Sequence, residues 1–205
     1  MVDLEGVNKW YSDALLTHGR SSSAVGWRSE DQQTLRFDRL LSVLDSPRKL
    51  GGVLDYGCGY GSLLQYLHGR DLEFDEYVGV DISEQQLAEA ERTALDLGMP
   101  ATLLLTETPE VLCDYVMISG TFNLRLDVER SQWSNFVWDK LQQLWPLARK
   151  GLAVNFLTTY VDWESPDLFY ASPEQFMSEA FQRLSPRVLV DHSYPLYEWS
   201  MGVLR

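Results

Sequence analysis

The chain has 205 residues and carries 17 Lys and Arg against 30 Asp and Glu, a formal charge of −13. That length supports one domain with a sizeable core, and 45% hydrophobic with 23% charged residues excludes a disordered chain. No apolar stretch approaches the roughly 18 residues of a membrane span, the opening MVDLEGVNKW lacks a signal peptide's apolar region, and so acidic a chain disfavours a nucleic-acid partner.

Residues 1–30 read as an N-terminal cap over a core at 31–205. Asn8 to Tyr11 fall in a short helix, and His18 to Trp27 form a small, glycine-rich stretch suited to a mobile lid. Phe37, Leu40, Leu41 and Leu44 then lie at helical spacing. Strand and helix alternate from there. Apolar runs at 51–56, 77–81, 101–105, 115–119 and 151–157 predict strands buried on both faces.

Between the strands, Ser83 with Gln86 predicts a capping box, and Gly98 ends that helix. A longer helical pattern, 128–150, carries Trp133, Phe136, Val137, Leu141, Leu144 and Trp145, with Pro146 expected to kink or end it. Those aromatics read as core. Ser172-Pro173 opens another helix. Runs at 187–191 and 197–203 follow, joined by a connection too short for a crossover, so they pair antiparallel. The sum is a doubly wound α/β sheet, mostly parallel, with helices on both faces and one reversed strand in the C-terminal hairpin.

The informative segment is VLDYGCGYGSLLQYL, residues 53–67. A buried strand ends in Asp55, a turn supplies Gly57, Cys58, Gly59 and Gly61, and a helix follows. Such a turn brings backbone close to a ligand and aims a helix N-terminus at it. A dinucleotide fingerprint needs glycine at 62, where the chain has Ser62. Asp81 closes the next strand, placed to accept both hydroxyls of a ribose.

This pattern resembles the first motifs of class I S-adenosylmethionine-dependent methyltransferases, whose turn reads D/E-x-G-x-G-x-G. The resemblance covers about residues 31–205 and implies a seven-stranded sheet binding S-adenosylmethionine and releasing S-adenosylhomocysteine. It implies that Asp55 and the glycine turn receive the methionine end, that Asp81 holds the ribose and Ile82 packs on adenine, and that Glu107 lies near the adenine amino group. It places Ser119 and Gly120 where cofactor meets acceptor. By analogy Trp27 and Arg36 join the cofactor site, Arg36 reaching the cofactor carboxylate, and Tyr11, His18 and Gln32 are pocket candidates. Phe122, Asn123, Arg125 and Tyr160 are candidate acceptor contacts, with Thr158, Asp162 and Trp163 on the same wall.

Methyl transfer is an in-line displacement that needs alignment first and a general base only for a protonated nucleophile. His18, Tyr160, Asp162 and His192 are the candidate bases. Two cysteines, Cys58 and Cys113, suit neither a disulfide framework nor a zinc site, so no metal is expected and a cytoplasmic monomer or homodimer is. The expected function is methylation of a small molecule. Methylation of RNA or protein is the alternative, and an NAD-dependent oxidoreductase a more distant one.

Overall fold

The computed structural model describes residues 2–26, 29–44, 49–70 and 72–205. Helices α1 (Glu5–His18) and α2 (Glu30–Ser42) precede β1 (Lys49–Tyr56), α3 (Ser62–Gly69), β2 (Glu73–Asp81), α4 (Glu84–Leu97), β3 (Thr102–Leu105) and β4 (Cys113–Ile118). Then come α5 (Arg130–Leu144), β5 (Ala148–Thr158), β6 (Tyr170–Ala171), α6 (Pro173–Arg183), β7 (Val188–Asp191) and β8 (Glu198–Leu204). The sheet order is β3-β2-β1-β4-β5-β8-β7, with the two-residue β6 paired off β5. β8 runs antiparallel to both β5 and β7. The expected seven-strand layout is present, and β6 is an addition the sequence did not announce.

Period-2 alternation splits the core in two. Leu54, Val116, Leu152, Val154, Phe156 and Trp199 belong to a cluster on one face, where α5 and α6 contribute Trp133, Trp138 and Phe176. Val53, Tyr77, Tyr115, Met117 and Ala153 point the other way, under Phe37 and Leu40 of α2 and Leu63, Leu64 and Leu67 of α3. Because β1 pairs β2 on one side and β4 on the other, the chain reverses its winding at β1. A crevice opens there, beyond the carboxyl ends of the strands.

Several local expectations change. Pro146 ends the long helical pattern: α5 stops at Leu144, one 3-10 turn covers Trp145–Leu147, and β5 begins at Ala148, three residues before the sequence suggested. Ser83 caps α4 by accepting from the Gln86 N–H, but the Gln86 side chain does not return to close the box. Its Nε2 donates 3.2 Å to the Tyr11 carbonyl, tying α4 to α1. Residues 18–26 are not a free loop. A 3-10 turn spans Ser22–Val25, and Ala24 is fully buried in a small cluster with Leu15 and Tyr60. Arg20 adds an ion pair to Asp96 of α4 at 2.7 Å, which helps hold the cap down. No helix among the described residues is long and apolar enough to cross a membrane.

Candidate cofactor and acceptor site

The glycine turn is built by contacts that only glycine permits. Gly57, Gly59 and Gly61 have φ of +78°, +55° and +84°, in the left-handed region that side chains disfavour. The N–H groups of Gly57 and Cys58 both donate to the Val80 carbonyl, at 2.7 and 3.0 Å, which fastens the turn to β2. A Cβ at Gly57 would lie 2.4 Å from Thr121 Oγ1. That hydroxyl in turn donates to the Tyr56 carbonyl at 2.8 Å, so the turn after β1 and the loop after β4 clasp each other.

Asp81 ends β2 and completes the turn from the far side. One carboxylate oxygen accepts the Gly59 N–H and the other the Ser83 N–H, both at 2.9 Å. Each oxygen keeps a further lone pair for a ligand hydroxyl. Burial raises its pKa, and the backbone donors oppose that rise. Asp55 is 2% exposed and accepts the Tyr77 hydroxyl at 2.6 Å. Desolvation pushes its pKa to about 7; the Tyr77 bond works against the shift and the charge on Asp81 adds to it. Burial likewise pushes the Cys58 thiol well up, which makes it an unreactive wall.

These groups line a cavity containing about 950 Å³ of empty space, part of it open to solvent. Asp55, Gly57, Cys58, Gly59, Asp81, Ile82, Ser119, Gly120, Tyr11 and Phe122 all border it, as the sequence suggested. Gly61 sits behind instead, where its Cβ would be 3.4 Å from Ala90 Cα of α4, so it serves helix packing. Leu4, Val7, Gln33, Phe37, Tyr56 and Gln86 also border the cavity, with no ligand-binding signal of their own in the sequence. Trp133 and Phe136, expected as core, also form part of the wall; the Trp133 indole donates to the Phe122 carbonyl at 2.9 Å. The helical stripes that include Phe37 and Trp133 were legible, but not that both residues also face the cavity.

Other candidates fall elsewhere. Arg36 does not border the cavity: its guanidinium is buried against the Glu198 carboxylate, which satisfies the charge meant for a cofactor carboxylate. Arg125 spends its donors on the carbonyls of Leu126, Val128 and Leu168, where it holds a loop in shape. Asn123 is buried off the cavity wall, with both amide atoms unpartnered among the described residues. Glu107 borders a shallower hollow beside Ile82 and lies 3.4 Å from the Lys140 ammonium. His18 ends α1 at the surface, and neither it nor Gln32 reaches the cavity. Tyr160 is exposed, donating to Glu174 and facing the His192 ring at 5.8 Å, while Asp162 and Trp163 point to solvent. Thr158 is buried below Tyr160, accepting its N–H at 3.2 Å. None of His18, Tyr160, Asp162 and His192 borders the cavity, so the geometry supports none as base. Trp27 lies outside the described residues.

A model of the methyltransferase domain family matches residues 53–134, the span that carries both acids and the glycine turn. Rv1506c of Mycobacterium tuberculosis strain ATCC 25618 / H37Rv, named as a methyltransferase, is 33% identical over 153 residues, covering 74% of this chain and 91% of that protein. The chain belongs to the class I S-adenosylmethionine-dependent methyltransferases. Magnesium protoporphyrin IX methyltransferase of Synechocystis PCC 6803, solved with bound S-adenosylhomocysteine, superposes with a TM-score of 0.70 over 99% of this chain and 100% of that one, at 16% identity. Phosphoethanolamine N-methyltransferase 1 of Haemonchus contortus gives 0.66 over 98% of this chain and 49% of that one, at 13% identity. At such identities the likeness is one of fold. Family membership removes the NAD-dependent alternative, and S-adenosylmethionine is this methyltransferase's cofactor. The site is compatible with it: both Asp81 oxygens keep a lone pair beyond their backbone donors, and the buried Asp55 carboxyl borders the same cavity beside the glycine turn.

Proposed function

We propose that this methyltransferase methylates a small, largely apolar acceptor that carries no phosphate or other dense negative charge near the reacting atom. The supporting observation is the wall of the cavity. Tyr11, Tyr56, Phe122, Trp133 and Phe136 supply aromatic surface, the charged lining residues are Asp55 and Asp81, and no Lys, Arg or His borders it among the described residues. An anionic acceptor would find no counter-charge on the cavity wall away from the cofactor's sulfonium, and desolvating an unpaired anion is costly. A cationic or neutral aromatic-compatible molecule meets favourable surface.

When bound, S-adenosylmethionine supplies an already activated methyl group, so the chain's task is alignment. Asp81 would hold the ribose, Asp55 and the turn would receive the amino-acid end with the carboxylate paired to its ammonium, and the aromatic wall would exclude water and orient the acceptor. The acceptor nucleophile would be one that needs no strong base from the chain. The test is incubation of the protein with methyl-labelled S-adenosylmethionine and a fractionated extract, read by mass spectrometry. Label in a neutral or cationic small molecule is expected. Label confined to tRNA, to protein or to phosphorylated metabolites would overturn the reading.

A further inference from the structure

Behind the loop that follows β4 lies a buried polar chain whose side chains do not border the cavity described above. Asn155 interrupts the apolar run of β5 and is fully buried. It pairs with Ser200 across the antiparallel β5–β8 ladder, so Glu198, two residues earlier, is its diagonal neighbour on the same face. Arg36, on the helix packed over that face, donates from Nε to both Glu198 oxygens at 3.0 and 2.8 Å, with a further contact through Nη2. Asn155 Nδ2 donates to Glu198 Oε2 at 2.8 Å, and Asn155 Oδ1 accepts the Gly120 N–H at 2.7 Å.

Each link has one workable direction. A carboxylate only accepts and a backbone N–H only donates, so flipping the Asn155 amide would break both of its bonds. Such a chain is a weak source of stability, because a buried ion pair seldom outdoes apolar packing of the same volume. What it does fix is the Ser119–Gly120 peptide. Gly120 has φ +71° and its N–H is drawn inward. The described peptides are all trans, so the Ser119 carbonyl points the opposite way, on the side of the loop that borders the cavity. The Thr121 hydroxyl on Tyr56 clamps the other flank of the same loop.

We propose that Asn155, held by Glu198 and Arg36, is a positioning residue that aims the Ser119 carbonyl into the cavity to receive the ammonium of the cofactor's amino-acid end. The proposal rests on the family's cofactor and is independent of the acceptor. Two probes separate positioning from general support. S-adenosylhomocysteine carries the amino-acid end, and 5′-methylthioadenosine shares its adenosine and sulfur but lacks that end.

Asn155→Ala is expected to lower affinity for S-adenosylhomocysteine about 10- to 100-fold, the size of one lost hydrogen bond to a charged group, by titration calorimetry. Affinity for 5′-methylthioadenosine should stay within about twofold of wild type. Where Asn155→Ala fails to fold, the double variant Arg36→Met/Glu198→Met decides. It removes both charges and the acceptor that holds Asn155 Nδ2, leaves no charge buried alone, and should show the same selective loss. Equal losses for the two probes would reduce the chain to a structural support and overturn the proposal, as would unchanged S-adenosylhomocysteine affinity in a folded variant.

Discussion

Asp55→Asn separates what the buried acid costs the fold from what it does for the cofactor. In the unliganded protein Asp55 is buried beside Asp81, with a pKa near 7 against an ordinary 3.8. A raised carboxylate pKa means that the folded state prefers the protonated acid. The penalty is absent below pH 3.8, grows as pH climbs towards 7, and is complete above it. A shift of about three units corresponds to roughly 4 kcal/mol at pH 8. Asparagine carries no charge at any pH, and its carbonyl can still accept from Tyr77, which donates at 2.6 Å in the wild type.

The variant should therefore be more stable than wild type at pH 8, by about 2–4 kcal/mol once the buried amide's own cost is discounted, or roughly 5–15 °C in Tm. The gap should narrow by about 2–3 kcal/mol between pH 8 and pH 5, as the wild-type acid takes up its proton. Cofactor affinity should move oppositely, falling in the variant at pH 8 and, in wild type only, falling as pH drops below 7. Thermal melts and calorimetry with S-adenosylhomocysteine across pH 5–8 provide both readings. A variant no more stable than wild type at pH 8, or a gap that does not change with pH, would refute the reasoning.

Asp81→Asn turns an amide NH2 towards either the Gly59 or the Ser83 N–H, donor facing donor, and removes the charge meant for the ribose. Affinity for S-adenosylhomocysteine should fall about 30- to 1000-fold by calorimetry. Gly57→Val meets both a φ of +78° and the Thr121 hydroxyl, so thermal melts should show a loss of about 1–3 kcal/mol and cofactor binding should be abolished. Arg36→Ala leaves the Glu198 carboxylate buried without its cation, and chemical denaturation should show about 3–5 kcal/mol of destabilisation. With a net charge of −13, binding to bulk tRNA should be weak and should disappear by moderate salt in filter binding.

Much of the scaffold could be read from the chain alone, for a physical reason. Strand runs such as 77–81 and 115–119 are apolar on both faces, which only a helix-covered sheet can bury. The glycine turn was legible because its backbone conformation admits little else, and Asp55 and Asp81 because acids at strand ends are poor core residues. The short connection between the runs at 187–191 and 197–203 fixes the direction of the last strand, since no helix fits in it. These are local signals, carried by neighbours in sequence.

What the tertiary structure decided is which distant groups meet. Arg36 and Glu198 are 162 residues apart, and nothing near Arg36 in sequence distinguishes a cofactor-binding guanidinium from one held by a carboxylate on β8. Asn155 was a signal available in GLAVNFL, an amide inside an apolar run, but its partners come from α2, β8 and the loop after β4. Trp133 and Phe136 have the periodicity of core residues and are also cavity wall, because a helix stripe records which face is buried and not what it is buried against. The 18–27 stretch has a loop's composition, yet Ala24 is sealed beneath Leu15 and Tyr60. Composition reports what a segment can bury by itself; only the folded chain supplies the surface that buries it.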